Sequence, residues 1–138
     1  MKSDLARVDA LTKFLGTEDG ANLLIAYRRA SNILSIEEAR DKRGYDDADY
    51  DPRGSQGEER ALSLALNQVA GEVRELVKEE KFEDAMAALA TLRQPVDAFF
   101  DKVTVNTDEP VLRENRLRLL SRIRAVMNQV AVFSQIEG

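Results

Sequence analysis

The stretch EERALSLALNQVAGEVRELVKEE, Glu58 to Glu80, decides the fold class. Its apolar residues recur every three or four positions, at Leu62, Leu66, Val69, Val73 and then Leu76 or Val77. A helix turns by about 100° per residue, so this spacing gathers them on one face. Glu, Arg, Gln and Lys fill the other positions, and these are good helix formers that stay in water. The segment predicts a long amphipathic helix, and such a helix must bury its stripe against another element.

The same period extends outward in both directions. After a break at Lys81, Phe82, Ala85, Met86, Leu89 and Leu92 predict a fourth helix. Pro95 marks its end or a kink, because proline has no N–H for the ladder. Val96, Phe99, Phe100 and Val103 form a short fifth segment whose aromatic residues read as core. Towards the N-terminus, Leu5, Val8, Leu11 and Leu15 predict a short first helix that Gly16 ends. Thr17 then offers an N-cap, with Glu18 and Asp19 in the first turn, where the helix dipole favours acids. The second helix runs to about Ile36, its stripe being Leu23, Ala26, Tyr27, Ala30, Ile33 and Leu34. The last helix is expected from about Asp108 to Gln135, as the longest of the set. Thr107 or Asp108 caps it, with Pro110 in its first turn. Only Lys102 to Asn106 alternates like a strand, and briefly. The chain therefore reads as all-α, a single domain over 1–138 built as an antiparallel bundle of five or six helices.

The interruption is DKRGYDDADYDPRGSQG, at about 40–57, which is rich in Asp and Gly and almost free of aliphatic residues. It reads as a long polar loop, expected to be partly disordered. Its DDADYDPRG lacks the alternating acids, the glycine and the closing glutamate of a calcium loop. GTEDGAN, at 16–22, matches no phosphate-binding or dinucleotide fingerprint.

Composition narrows the chemistry. The 138 residues suit one domain with one core. There is no cysteine and no histidine, so disulfides, zinc–thiolate sites and Ser-His or Cys-His catalysis are excluded. No apolar run approaches a membrane span, and the N-terminus has no signal-peptide core, so a cytoplasmic home is expected. The net charge of −5 argues against a protein that coats DNA or RNA indiscriminately. The charge is uneven, however. From Glu37 to Arg60 acids outnumber bases nine to five, whereas Val111 to Gly138 holds five arginines against Glu114 and Glu137.

Those arginines are the candidate binding residues. On a wheel of the last helix, Leu112, Leu119, Leu120, Ile123, Val126, Met127, Val130 and Phe133 fill an arc of about 140°. Arg116 falls inside that arc. It is read first as a structural ion pair, with Asp97 the expected partner, and second as a ligand contact. Arg113 and Arg124 sit together at one edge. They and the pair Arg28–Arg29 are candidate phosphate contacts or else parts of solvated faces. Side-by-side packing of the two helices would merge them into one basic patch. Asn32 and Asn115 suit base edges, or capping and bridging of helices, with the second reading favoured. Tyr45 and Tyr50 could stack on bases, but Asp46, Asp47, Asp49 and Asp51 would repel phosphates.

Three stretches resemble the β subunits of bacterial glycyl-tRNA synthetases. They are LLIAYRRASNIL at 23–34, LATLRQPVDAFFDKV at 89–103, and the closing run with FFDKVTVN at 99–106, LRENRLRLL at 112–120 and FSQI at 133–136. The resemblance implies the helical anticodon-binding domain of that family, similar to the DALR domain of arginyl-tRNA synthetases. It implies tRNA(Gly) as a partner, together with the synthetase α subunit and the rest of the β subunit. It implies that Arg28, Arg29, Asn32, Arg113, Arg116 and Arg124 are the residues to test for RNA contact. No cofactor or metal is expected for this domain itself. ATP and Mg serve the whole enzyme, whose α subunit activates glycine. The family's β subunit is several times longer, so Met1 is expected to stand before a segment of a larger chain. Two departures stand out. The loop is too acidic to face RNA, and the basic pair, often containing lysine, is here two arginines.

Two functions follow. In the first, arginines grip the anticodon arm and unstacked bases are read on their edges. In the second, the bundle docks on other parts of the synthetase, and the arginines meet acids. One contiguous basic patch favours RNA, and dispersed arginines favour docking. Independent catalysis has no residues to assign it to.

Overall fold

The computed structural model describes residues 2–46, 56–131 and 133. Six helices occur among them: α1 (Lys2–Leu15), α2 (Glu18–Asp41), α3 (Gly57–Lys78), α4 (Phe82–Ala90), α5 (Arg93–Lys102) and α6 (Pro110–Asn128). No strand occurs among the described residues. Half of the span expected to be a loop, 47–55, lies outside them.

The α1–α2 corner is set by its own sequence. Thr17 Oγ1 accepts the Gly20 N–H at 3.0 Å and donates to the Phe14 carbonyl at 2.6 Å, so one hydroxyl ends α1 and starts α2. Gly20 lies so close to α1 that a Cβ there would stand 1.9 Å from the Phe14 oxygen. Only glycine allows this approach. α2 continues to Asp41, past the expected end near Ile36, and closes on Lys42 in the left-handed conformation (φ 56°). α3 closes where Glu80 turns left-handed (φ 61°), one residue before the expected break at Lys81.

α3 is the central strut. Its stripe of Leu62, Leu66, Val69 and Val73 is buried against α4, α5 and α6, as the opening period requires. α2 packs along α6, and Tyr27 of α2 meets Phe133, beyond the end of α6, with ring centroids 5.6 Å apart. The Tyr27 hydroxyl donates to Asn128 Oδ1 at 2.9 Å. α1 packs on α4 and on the start of α2.

Four sequence expectations are corrected. α1 does not bury Leu5 and Val8, which are 67% and 56% exposed; Ala10 and Phe14 are its buried contacts. Leu11 and Leu15 of the read stripe are half-buried against the core, so the covered face runs through them and Ala10 and Phe14 but not Leu5 and Val8. Pro95 does not end α4 but sits in the first turn of α5, where its missing N–H costs nothing. α6 is capped at Glu109, with Pro110 as its first residue, and not at Thr107 or Asp108. It ends at Asn128, so α2, with 24 residues, is longer than α6, with 19. Val126, Met127, Val130 and Phe133 are all buried. Their spacing of three and four fits tighter turns as well as an α-helix, and bonds from Gln129 N to Val126 O and Val130 N to Met127 O make such turns.

Candidate functional site

Two of the candidate arginines are built into the fold. Arg116 is 5% exposed and Glu59, which faces it, is wholly buried. Arg116 Nε donates to Glu59 Oε1 at 2.9 Å, Nη2 stands 2.8 Å from the same oxygen, and Nη1 donates to the Thr104 carbonyl at 2.7 Å. Nη2 also donates to Gln56 Oε1 at 3.1 Å. Glu59 in turn accepts the Gln56 backbone N–H at 3.2 Å, the reciprocal bond of a capping box at the start of α3. The expected ion pair exists, but its partner is Glu59 and not Asp97. Asp97 lies 3.4 Å from Arg93 on its own helix. The start of α3, not α5, supplies the acid beside Arg116. Sequence alone reads Glu59 as an ordinary first-turn acid.

Arg113 joins α6 to α2. Its Nη2 stands 2.7 Å from both Glu37 Oε1 and Asp41 Oδ2, and its Nε donates to Asn106 Oδ1 at 3.2 Å. Tyr45 donates its hydroxyl to Asp41 Oδ2 at 2.6 Å. The Tyr45 bond first, then Arg113, hold the Asp41 carboxyl below its ordinary range. Burial first, then Asp41, pushes the Tyr45 phenol up. Glu37 and then Asp41 raise the affinity of Arg113 for its proton. Tyr45 is thus not the exposed stacking residue its polar surroundings suggest. It is 4% exposed, with Arg43 4.5 Å over its ring and its N–H donated to Glu38. Tyr50, Asp47, Asp49 and Asp51 lie outside the described residues.

Arg29 is placed differently. It is exposed on α2 and turns to α5, its guanidinium 4.5 Å over the Phe100 ring. Phe100 is half-buried, not core as expected, and meets Phe99 edge-on at 5.6 Å and 73°. The Arg29–Phe100 stack stands in an open groove between α2 and α5. On one side lies a compartment of about 450 Å³, walled by Ile33, Asp101 and the 102–106 connection to α6. On the other lies one of about 360 Å³, walled by Asn22, Ile25, Asp97 and Asp101. Glu37, Asp97 and Asp101 share the walls with apolar and amide groups, and a planar cation on an aromatic ring between them is a surface on which an unpaired base stacks.

The remaining candidates do not join it. Asn32 is exposed, while Arg28 and Arg124 are half-buried, and none of the three lines the groove. Asn115 is 2% exposed, inside the bundle. α2 and α6 do pack side by side, but the four arginines do not merge into one patch. Arg113 faces the acids of α2, and Arg29 faces away, towards α5. Sequence reading missed Phe100 and Asp101 as site residues. The signal was the doublet Phe99–Phe100. Neighbours on a helix point about 100° apart, so two adjacent phenylalanines on a short helix cannot both point into the core.

Among the described residues no group of His, Cys, Asp and Glu is arranged to hold a metal ion, and no helix is long and apolar enough to cross a membrane. The family model of the DALR anticodon binding domain matches residues 23–133. The chain is 58% identical over 135 residues to the glycine–tRNA ligase beta subunit of Rhodospirillum centenum, covering 97% of this chain and 19% of that protein. It is 51% identical over 136 residues to that of Phenylobacterium zucineum, covering 97% and 20%. It is 45% identical over 133 residues to that of Cereibacter sphaeroides, covering 96% and 19%. The chain thus spans about a fifth of the length of the curated relatives it matches. With most of its length, from Leu23 in α2 through the end of α6, inside that match, the chain belongs to the DALR anticodon binding domain family.

Proposed function

We propose that this domain recognises the anticodon arm of glycine tRNA, in support of aminoacylation carried out elsewhere in a glycine–tRNA ligase. The observation that carries this reading is the Arg29–Phe100 stack in its open groove, within a chain of this family. Arg113 and Arg116 serve as struts, and Arg29 is the arginine that meets the nucleic acid. ATP, magnesium and glycine activation belong on this reading to other parts of the synthetase. The α subunit and the remainder of the β subunit are its protein partners, in the cytoplasm.

The test is titration with tRNA bearing the glycine anticodon, against the same tRNA with the anticodon replaced. Preference for the first, lost in Arg29→Ala and Phe100→Ala but kept in Arg124→Ala, supports the reading. Equal binding of both tRNAs reduces it to a backbone contact, and no binding at low salt overturns it for this chain.

A docking role is the second reading. The dispersed arginines favour it, and so do Leu5 and Val8, exposed one turn apart on α1. If docking is the role, Leu5→Ser with Val8→Ser weakens association with the rest of the synthetase and leaves tRNA affinity unchanged.

A further inference from the structure

Each carboxylate in the walls of the groove has a cation. Asp97 has Arg93 at 3.4 Å, Asp101 has Lys102 at 3.6 Å, and Glu37 has Arg113 at 2.7 Å. The third pair differs from the other two. The Glu37 side chain is 6% exposed and that of Arg113 19%, whereas Asp97, Asp101 and Lys102 stand in water. Arg113 is also the one of these three cations that lines neither of the compartments beside Phe100 and still sets residues that do. Its Nη2 holds Glu37 on α2, and its Nε donates to Asn106 at the end of the 102–106 connection, and both residues wall the larger compartment. The other cation on Glu37 is the exposed Arg40 at 3.5 Å, a contact too long and too wet to hold a carboxylate in place.

Resting on the RNA reading above, we propose that Arg113 is a positioning residue of the groove: it holds the Glu37 carboxylate back from the compartment beside the Arg29–Phe100 stack, and it does not itself touch the RNA. Without the guanidinium, Glu37 keeps only Arg40 among the described residues. A nearly buried carboxylate that loses its cation is driven towards water, and the compartment it walls offers that water. There it adds a negative charge about two turns of α2 from Arg29 and repels phosphate. Glutamine at position 37 fills the same volume without the charge, so removing both members of the pair restores a neutral wall.

The experiment titrates tRNA bearing the glycine anticodon, at one low salt concentration, into the 138-residue chain, into Arg113→Met, and into Arg113→Met with Glu37→Gln. Each is measured below its own unfolding temperature, found by circular dichroism. Arg113→Met should bind about tenfold more weakly, the effect of one added charge near a protein surface. The double variant should return to within about twofold of the parent, a coupling that neither substitution shows alone. A merely structural role for Arg113 gives no such return, because the second substitution adds no contact. Equal binding by the parent and Arg113→Met overturns the role of Arg113 and leaves the RNA reading standing. A folded double variant that binds about tenfold more weakly than the parent also overturns it, because Arg113 would then act by its own contact with RNA. The double variant strands no carboxylate at position 37, so it carries this test even if Arg113→Met alone does not fold. Absence of binding by the parent overturns both the role and the RNA reading.

Discussion

Arg116→Ala should be strongly destabilising although Arg116 itself does not line the groove. The substitution removes a guanidinium whose side chain is 6% exposed and leaves Glu59, at 0%, as a buried carboxylate without its cation. Removing one member of a buried pair costs about 3–5 kcal/mol, most of it the penalty of the stranded charge. Gln56 and the Thr104 carbonyl lose their donors as well. Folded domains hold only about 5–15 kcal/mol in reserve, so Arg116→Ala brings this one close to the edge. The companion variant, Arg116→Met with Glu59→Leu, removes both charges and keeps the volume. It gives up the capping box and the link to Thr104, at about 1–2 kcal/mol, but strands no charge. The double variant should therefore be more stable than Arg116→Ala although it carries more changes. Urea unfolding followed by circular dichroism measures both. A loss under about 1 kcal/mol in Arg116→Ala would show that Glu59 finds water or another partner. A double variant as unstable as the single one would show that the bonds to Gln56 and Thr104, and not the charge balance, carry the stability.

Gly20→Ala would place a Cβ 1.9 Å from the Phe14 carbonyl oxygen and force α1 off α2, at about 3 kcal/mol or more in thermal unfolding. Gly71→Ala on α3 meets nothing within 4 Å and should instead stabilise by about 0.5–1 kcal/mol, the helix-propensity gain. Asp41, held below its ordinary value of 3.8 by Tyr45 and Arg113, contributes stability that is fully present above that pH and lost as pH falls through the lower folded value. Acid unfolding of Asp41→Asn should accordingly be less steep below pH 3.8 than that of the parent, and identical slopes would refute the assignment.

The helices were legible because their information is local. The stripe from Leu62 to Val73 and the Thr17 cap each stand in one stretch of sequence, and the structure places both as read. What was not legible depends on how one helix sits over another. Arg116 is visibly misplaced on an apolar arc, yet its partner lies 57 residues away at the start of α3, and no local pattern chooses Glu59 over Asp97. Leu5 and Val8 carry the right period, but which face of α1 is covered depends on where α4 packs. Tyr45 looks exposed among its acidic neighbours and is buried because Asp41 and Arg113 receive it. The groove fell in the same blind spot, since Arg29 and Phe100 are far apart in sequence and meet only when α2 and α5 pack.

The net acidity of the chain also changes meaning once the arginines are placed. As a count, five basic residues after Val111 suggest a phosphate-binding surface. In place, Arg113 and Arg116 are bound to Glu37, Asp41 and Glu59, and Arg118 to Glu114 one turn away. Held by carboxylates, these three arginines do not form the phosphate grip that the count suggests. The logarithm of affinity for single strands falls by about 0.7 per phosphate contact for each unit of log salt concentration. A groove that works chiefly through Arg29 and the Phe100 face should therefore show a shallow slope of about one or less. A basic patch built from Arg28, Arg29, Arg113 and Arg124 together would give a slope near three. Measuring tRNA affinity across a range of salt separates the two without any substitution. A steep slope would mean that the arginines leave their carboxylate partners on binding, and that the bundle holds its RNA in another arrangement.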